Sequence, residues 1–193
     1  KQLFLLNKLH HHGAEIQLLK ADSIDHVFKR YRFNHAKYAI FDQQTTIIHS
    51  GNFAPTGIPT DNTFGNREWG VAITNETLAD WYSSVFYEDF NPTQKDTKTF
   101  QPNPVFEEQD YFVLNEEYYG WYEPILNQSD TITANITIQP VLSPDNSLTA
   151  ITNLISQANT SIYIQQLYIY PNWTNQQNPL IPLLINKSNQ GVD

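Results

Sequence analysis

Cysteine and methionine are both missing from this 193-residue sequence. Without cysteine there are no disulfides, no thiolate chemistry and no cysteine-ligated zinc, although that absence assigns no compartment. Without methionine, and opening on Lys1, the sequence reads as a processed product or a piece of a longer chain. Long apolar runs are missing too: none approaches the roughly 18 residues that cross a bilayer. The opening KQLFLLNKLHHHG has helical spacing and no small-residue cleavage site, so it does not read as a signal peptide, which leaves room for a signal or membrane anchor upstream. Basic residues are few. Eleven Lys and Arg against 20 Asp and Glu give a formal charge of −9. That balance disfavours nucleic acid as partner, while leaving room for a local basic pocket.

What is present points to a folded protein. Hydrophobic residues make up 40% and aromatics 13%, too much for a disordered chain, and the length suffices for one domain or two small ones with a core. Asn-x-Ser/Thr sequons occur at Asn75, Asn127, Asn135, Asn159, Asn172 and Asn186. Chance gives roughly three in a chain this rich in Asn and Thr, a slight lean toward an extracytoplasmic, glycosylated protein; membrane association would come through a longer parent chain.

Residues 1–12 place Leu3, Leu5, Leu6 and Leu9 at helical spacings and stop at Gly13, after which AEIQLL (14–19) alternates as a strand. The run His10–His12 reads as a solvated helix end rather than a metal site, because successive helical side chains diverge. DSIDHVFKRYRF (22–33) reads as a loop carrying a short helix, and Ala54–Gly65 as a loop. REWGVAI (67–73) is expected as a strand. NETLADWYSSVFYEDF (75–90) is an amphipathic helix capped by Asn75 or Thr77, with Leu78, Trp81, Val85 and Phe86 on one face and Trp81, Tyr82 and Phe86 expected in the core. Residues 93–130 lack a period and read as a connecting segment, its aromatics YFVLNEEYYGWY (111–122) expected to pack against residues 131–193 rather than to line a lipid-binding rim.

From 131 onward order returns. TITANITIQPVLSP reads as a strand, and DNSLTAITNLISQAN as a helix capped by Asp145 or Asn146. TSIYIQQLYIY reads as a strand, and NPLIPLLINKSNQGVD as a Pro-started helix ending at Gly191. LLNKLHHHGAE near the start and LLINKSNQGVD at the end look like one element used twice, which favours duplication.

The chemistry concentrates in NHAKYAIFDQQTTIIHSGN (34–52). YAIF and TII flank a turn, and placing Gln43 and Gln44 at its centre sets Lys37 opposite Ser50 and His35 opposite Asn52. Those four then share one face of the hairpin, and a one-residue slip would scatter them. Lysine supplies a fixed charge, serine and asparagine neutral donors, and histidine a nucleophile that titrates near neutrality. Such a set suits a tetrahedral anion whose oxygens are held while an imidazole attacks phosphorus.

His35-x-Lys37-x4-Asp42, followed after six residues by HSGN, resembles the signature of the phospholipase D superfamily. NREWGVAITN resembles that family's Asn-x-Glu strand, and LADWYSSVFYEDF its closing helix. The resemblance covers residues 1–90, and residues 130–193 look like the opening strand, helix and strand of a second repeat. It implies an α/β fold with a mixed sheet flanked by helices (an α/β/α sandwich) and partial duplication: residues 1–92 the C-terminal part of one repeat, 93–130 a connection, and 131–193 the N-terminal part of the next.

By that resemblance His35 is the nucleophile of a phosphohistidine intermediate, or the acid serving its counterpart. Lys37 and Asn52 grip the phosphate with Ser50 in support, and Glu68 bonds the far nitrogen of the imidazole. Asp42 belongs to the motif but is expected to be structural, at the turn. The family's chemistry calls for no metal and no cofactor. His49 stands where the family prefers glycine. The family uses two such histidines and this sequence supplies one, so the second is expected from a longer parent or another subunit. A homodimer, or a swap of 135–193 onto 1–90 of another copy, would provide one route. The substrate implied is a phosphodiester, with a phospholipid favoured over nucleic acid. A nuclease of the same superfamily and an inactive domain of this fold are the alternatives.

Overall fold

A computed structural model describes residues 2–59, 64–103 and 131–193. The expected aromatic packing of 111–122 and most of the 93–130 connection lie outside the described residues. The chain divides into two units, residues 1–129 and 130–193.

In the first unit, α1 (Gln2–His11) leads through Gly13 to β1 (Gln17–Leu19). Gly13 sits at φ 92, the left-handed conformation that ends helices, with Gly13 N bonded to His10 O and Ala14 N to Leu9 O. β1 pairs antiparallel with β5 (Thr97–Thr99), so part of the supposed connection is a strand of this unit. Residues 22–33 hold no helix. Asp22 and Val27 close a turn by mutual backbone bonds, and the Asp22 carboxylate accepts the amides of Ile24 and Asp25. A side chain that satisfies those amides locally competes with the helix.

Arg30 ties this loop to β5. Its backbone N and Nε donate to the buried Asp96 carboxylate at 2.6 and 2.9 Å, and its guanidinium reaches Thr97 Oγ1 at 3.1 Å.

β2 (Tyr38–Phe41), β3 (Thr45–His49) and β4 (Gly70–Thr74) form an antiparallel sheet in that order. The helix α2 (Glu76–Phe90) packs on one face, with Leu78, Ala79 and Ser83 buried. Asn75 caps α2, accepting Leu78 N at 2.9 Å. Ser83 Oγ donates to Gln43 Oε1 at 2.7 Å, and Asn75 N to Gln44 O at 2.8 Å, pinning the helix to the hairpin tip. Trp81 and Tyr82 are half-buried, as expected of a helix covering one side of a sheet, but Phe86 is 41% exposed and stacks on Phe90. On the face away from α2, Phe41 and Ile47 stay exposed.

The hairpin register departs from expectation by one residue. Phe41 pairs with Thr45 and Tyr38 with Ile48 across a three-residue loop. Within it Asp42 and Gln43 both adopt positive φ (52 and 55), and Gln44 N bonds to Phe41 O at 3.0 Å. The turn therefore centres on Asp42–Gln43, since short polar Asp tolerates the left-handed region better than most residues.

In the second unit, α3 (Ser147–Gln157) and α4 (Leu180–Asn189) pack together, and β6 (Asn172–Trp173) and β7 (Gln176–Gln177) make a small hairpin turning at Thr174. Asn146 precedes α3 but spends its side chain on Leu142 N and Pro140 O rather than on a helix amide. The segments 131–144 and 160–170, expected as strands, form none. One trace of pairing is present: Ile162 N bonds to Asp193 O and Asp193 N to Thr160 O, the pattern of a parallel pair, with α4 in the connection. Gly191 (φ 84) ends α4 as Gly13 ends α1, with Gly191 N on Ser188 O and Val192 N on Lys187 O. The echoed sequences thus share a capping pattern. The fold is α/β, with both pairing senses and flanking helices.

Candidate functional site

Lys37, His49, Ser50 and Glu68 lie where the open end of the hairpin meets the start of β4. The last bond between β2 and β3 runs from His49 N to Lys37 O at 2.9 Å, so Lys37 lies across from His49, not Ser50. Ser50 instead continues the β3–β4 ladder, its N bonded to Trp69 O at 2.9 Å. The shared face drawn from a Gln43–Gln44 turn is therefore corrected: the register that would unite His35, Lys37, Ser50 and Asn52 is not the one formed. His35 and Asn52 lie beyond the ladder, both exposed.

Glu68 is the hub of what does assemble. Ser50 Oγ donates to Glu68 Oε2 at 2.5 Å while accepting Trp69 N at 2.9 Å, and Asn66 Nδ2 donates to Glu68 Oε1 at 3.3 Å. The Ser50 hydrogen bond, followed against some desolvation by that of Asn66 and the nearby His49 and Lys37, holds the Glu68 carboxyl below its ordinary pKa. Glu68 was expected to hold the His35 imidazole; here its oxygens serve Ser50 and Asn66. The Lys37 ammonium donates to the His35 carbonyl at 2.8 Å, which among the described residues leaves two of its three protons for a ligand.

Asp42 stands at the hairpin tip, at the other end of β2 from Lys37, exposed and in the left-handed region. Asn52 opens a tight loop: its carbonyl accepts Ala54 N at 2.8 Å, and a Cβ on the buried Gly57 would fall 2.3 Å from that oxygen. Only glycine fits there without moving the Asn52 backbone.

Two participants carried no role in the sequence reading. Asn66 was visible as the first residue of Asn-x-Glu, and its spacing from Glu68 was the available signal. His49 was visible only as a departure from glycine, and its position beside Lys37 follows from a register that the sequence does not specify.

A separate cleft of about 380 Å³ opens between β1 and the end of α2. Asn34, Ala36 and Tyr38 line it, alternating with His35 and Lys37, which do not. Burial, Asp89 and Tyr82 push the Tyr38 phenol up to about 12.

A family model described as "Cardiolipin synthase, PLD-like domain" matches residues 2–90. Those residues are a phospholipase D-like domain. Comparison with curated proteins and with solved structures gave no match. The phospholipase D-like domain contains every motif residue named above, along with α1, β1, the three-stranded sheet and α2.

Proposed function

We propose that residues 2–90 carry one half of a phospholipase D-type phosphodiesterase site. The second His-x-Lys would come from outside these 193 residues, in a longer chain or another subunit. The observation that carries the reading is His35-x-Lys37-x4-Asp42 with Ser50–Asn52, all within the domain matched by the family model.

A ring nitrogen of His35 attacks phosphorus, and the bond from phosphorus to the leaving alcohol breaks. The second histidine gives that alcohol its proton. Water then attacks the phosphohistidine, giving its proton back to the second histidine, and His35 is released; an alcohol in place of water gives transphosphatidylation. Lys37 and Asn52 hold the non-bridging oxygens, whose charge grows in the transition state. Ser50, bonded to Glu68, supports the loop between them. Asp42 shapes the turn. No step runs through a metal or cofactor. The acidic chain favours phospholipid head groups over nucleic acid as substrate.

The single His-x-Lys favours one second reading, a domain of this fold that binds phosphodiesters without cleaving them. Hydrolysis of a bis-aryl phosphodiester and of phosphatidylcholine vesicles, by an assembly that supplies the second His-x-Lys (the longer chain or the partnering subunit) and by its His35→Ala variant, decides between them. Turnover that falls by about a thousandfold or more in His35→Ala supports the enzyme. Turnover unchanged by that substitution overturns His35 as nucleophile, and binding without turnover supports the second reading.

A further inference from the structure

We propose that His49 is a positioning residue whose protonation opens the Ser50–Asn52 loop to an anion. The inference rests on the anion-site reading of that loop. The Nδ1 atom of His49 has two partners on one residue: it accepts Gly51 N–H at 3.0 Å and lies 3.2 Å from Gly51 O. It can serve only one at a time. In the neutral ring the Nδ1 lone pair accepts Gly51 N–H, and the ring proton sits on Nε2. Once Nδ1 is protonated it has no lone pair to offer. It donates to Gly51 O instead, and Gly51 N–H is released.

That amide lies between the two loop residues proposed to serve the phosphate. Backbone amides in such loops are strong anion donors. Protonation therefore adds two things together, a free N–H and a second positive charge across from Lys37. Histidine changes charge between about pH 5 and 8, the interval in which such a switch operates.

The ring is confined enough to act in this way. A Cβ on Gly51 would come within 2.7 Å of His49 Cε1, and one on Gly70 within 2.6 Å of Cδ2. Two glycines thus make the slot that the imidazole fills, which accounts for a large ring where the family signature has glycine. Among the described residues, the charged groups facing it are Lys37, across β2, and Glu68, before β4. The Glu68 carboxylate stays ionised throughout the interval because Ser50 and Asn66 hydrogen-bond it.

Sulfate is the probe, a tetrahedral anion whose charge is constant over this range. Its binding is measured in the His35→Ala background, which removes the other imidazole of the motif. Between about pH 8 and pH 5.5 the affinity rises about tenfold, and the Gly51 amide resonance moves with the side-chain nitrogens of His49 in ¹⁵N spectra. His49→Gln, which keeps a polar side chain of similar size without titrating, loses both effects; His49→Gly serves as the second variant. Binding that does not change with pH, or a rise that persists in His49→Gln and His49→Gly, overturns the switch alone. Sulfate that binds at no pH overturns the anion-site reading and the switch together.

Discussion

Ser50 shows how one hydroxyl can organise a site. It donates to Glu68 and accepts from Trp69 N, so the carboxylate and the start of β4 share a single atom. The carboxylate's pKa is depressed chiefly by that bond, and the linkage has a definite sign. The stability Glu68 contributes is present above the ordinary carboxylate value and is lost as pH falls through its lowered one. Ser50→Ala removes the largest cause, so the Glu68 carboxyl resonance should titrate at higher pH and acid unfolding should begin earlier. ¹³C titration of both proteins checks this; an unmoved Glu68 midpoint would mean that the hydroxyl is not what holds it. At this scale the identities of the site residues were legible, because His35, Lys37, Asn52 and Glu68 stand in a spaced motif. Their partners were not. Glu68 was expected to hold His35 and instead holds Ser50 and Asn66, an outcome decided by where strands end rather than by which residues occur.

At the level of elements, the contact between the sheet and α2 contains a misfit. Thr46 is fully buried on β3 beneath α2, and its Oγ1 has no hydrogen-bond partner among the described residues. A buried hydroxyl without a partner costs about 1–3 kcal/mol. Thr46→Val keeps the branched shape and removes the unsatisfied group, so the domain should gain about 1 kcal/mol, read as a higher midpoint in denaturant at unchanged slope. A loss of stability would reveal a partner for the hydroxyl. Helices here were readable from sequence because their signals are local: Asn75 at the cap of α2, and Gly13 and Gly191 at the ends of α1 and α4. The hairpin's existence was readable for the same reason. Its register was not, since neither Gln-Gln nor Asp-Gln is a strong turn signal and the choice fell to Asp42 and Gln43 at positive φ. The β1–β5 pair joins residues some 80 positions apart (Gln17 with Thr99), a contact no local pattern announces.

For the molecule as a whole, the strand-like segments of the second unit set the behaviour in solution. Residues 160–170, TSIYIQQLYIY, carry no charge and no proline. The composition promises a strand, yet a strand needs a neighbour, and the one parallel contact at Asp193 serves only its first residues. Beyond it Tyr163 and Leu167 are 92% and 93% exposed. Uncharged β-prone segments with open edges are templates for pairing with another chain. The protein should therefore self-associate at micromolar concentration, and sedimentation velocity should show the apparent mass rising with concentration. Lysine on the exposed segment opposes edge pairing by charge and by hydration. Ile164→Lys combined with Leu167→Lys should shift the population toward monomer, leaving α3, α4 and their helical signal in place. If instead association is untouched by those two lysines but weakened by lysine at the exposed Phe41 and Ile47, the sticky surface is the bare face of the three-stranded sheet. That outcome would place self-association in the phospholipase D-like domain, on the sheet whose far end carries Lys37 and His49.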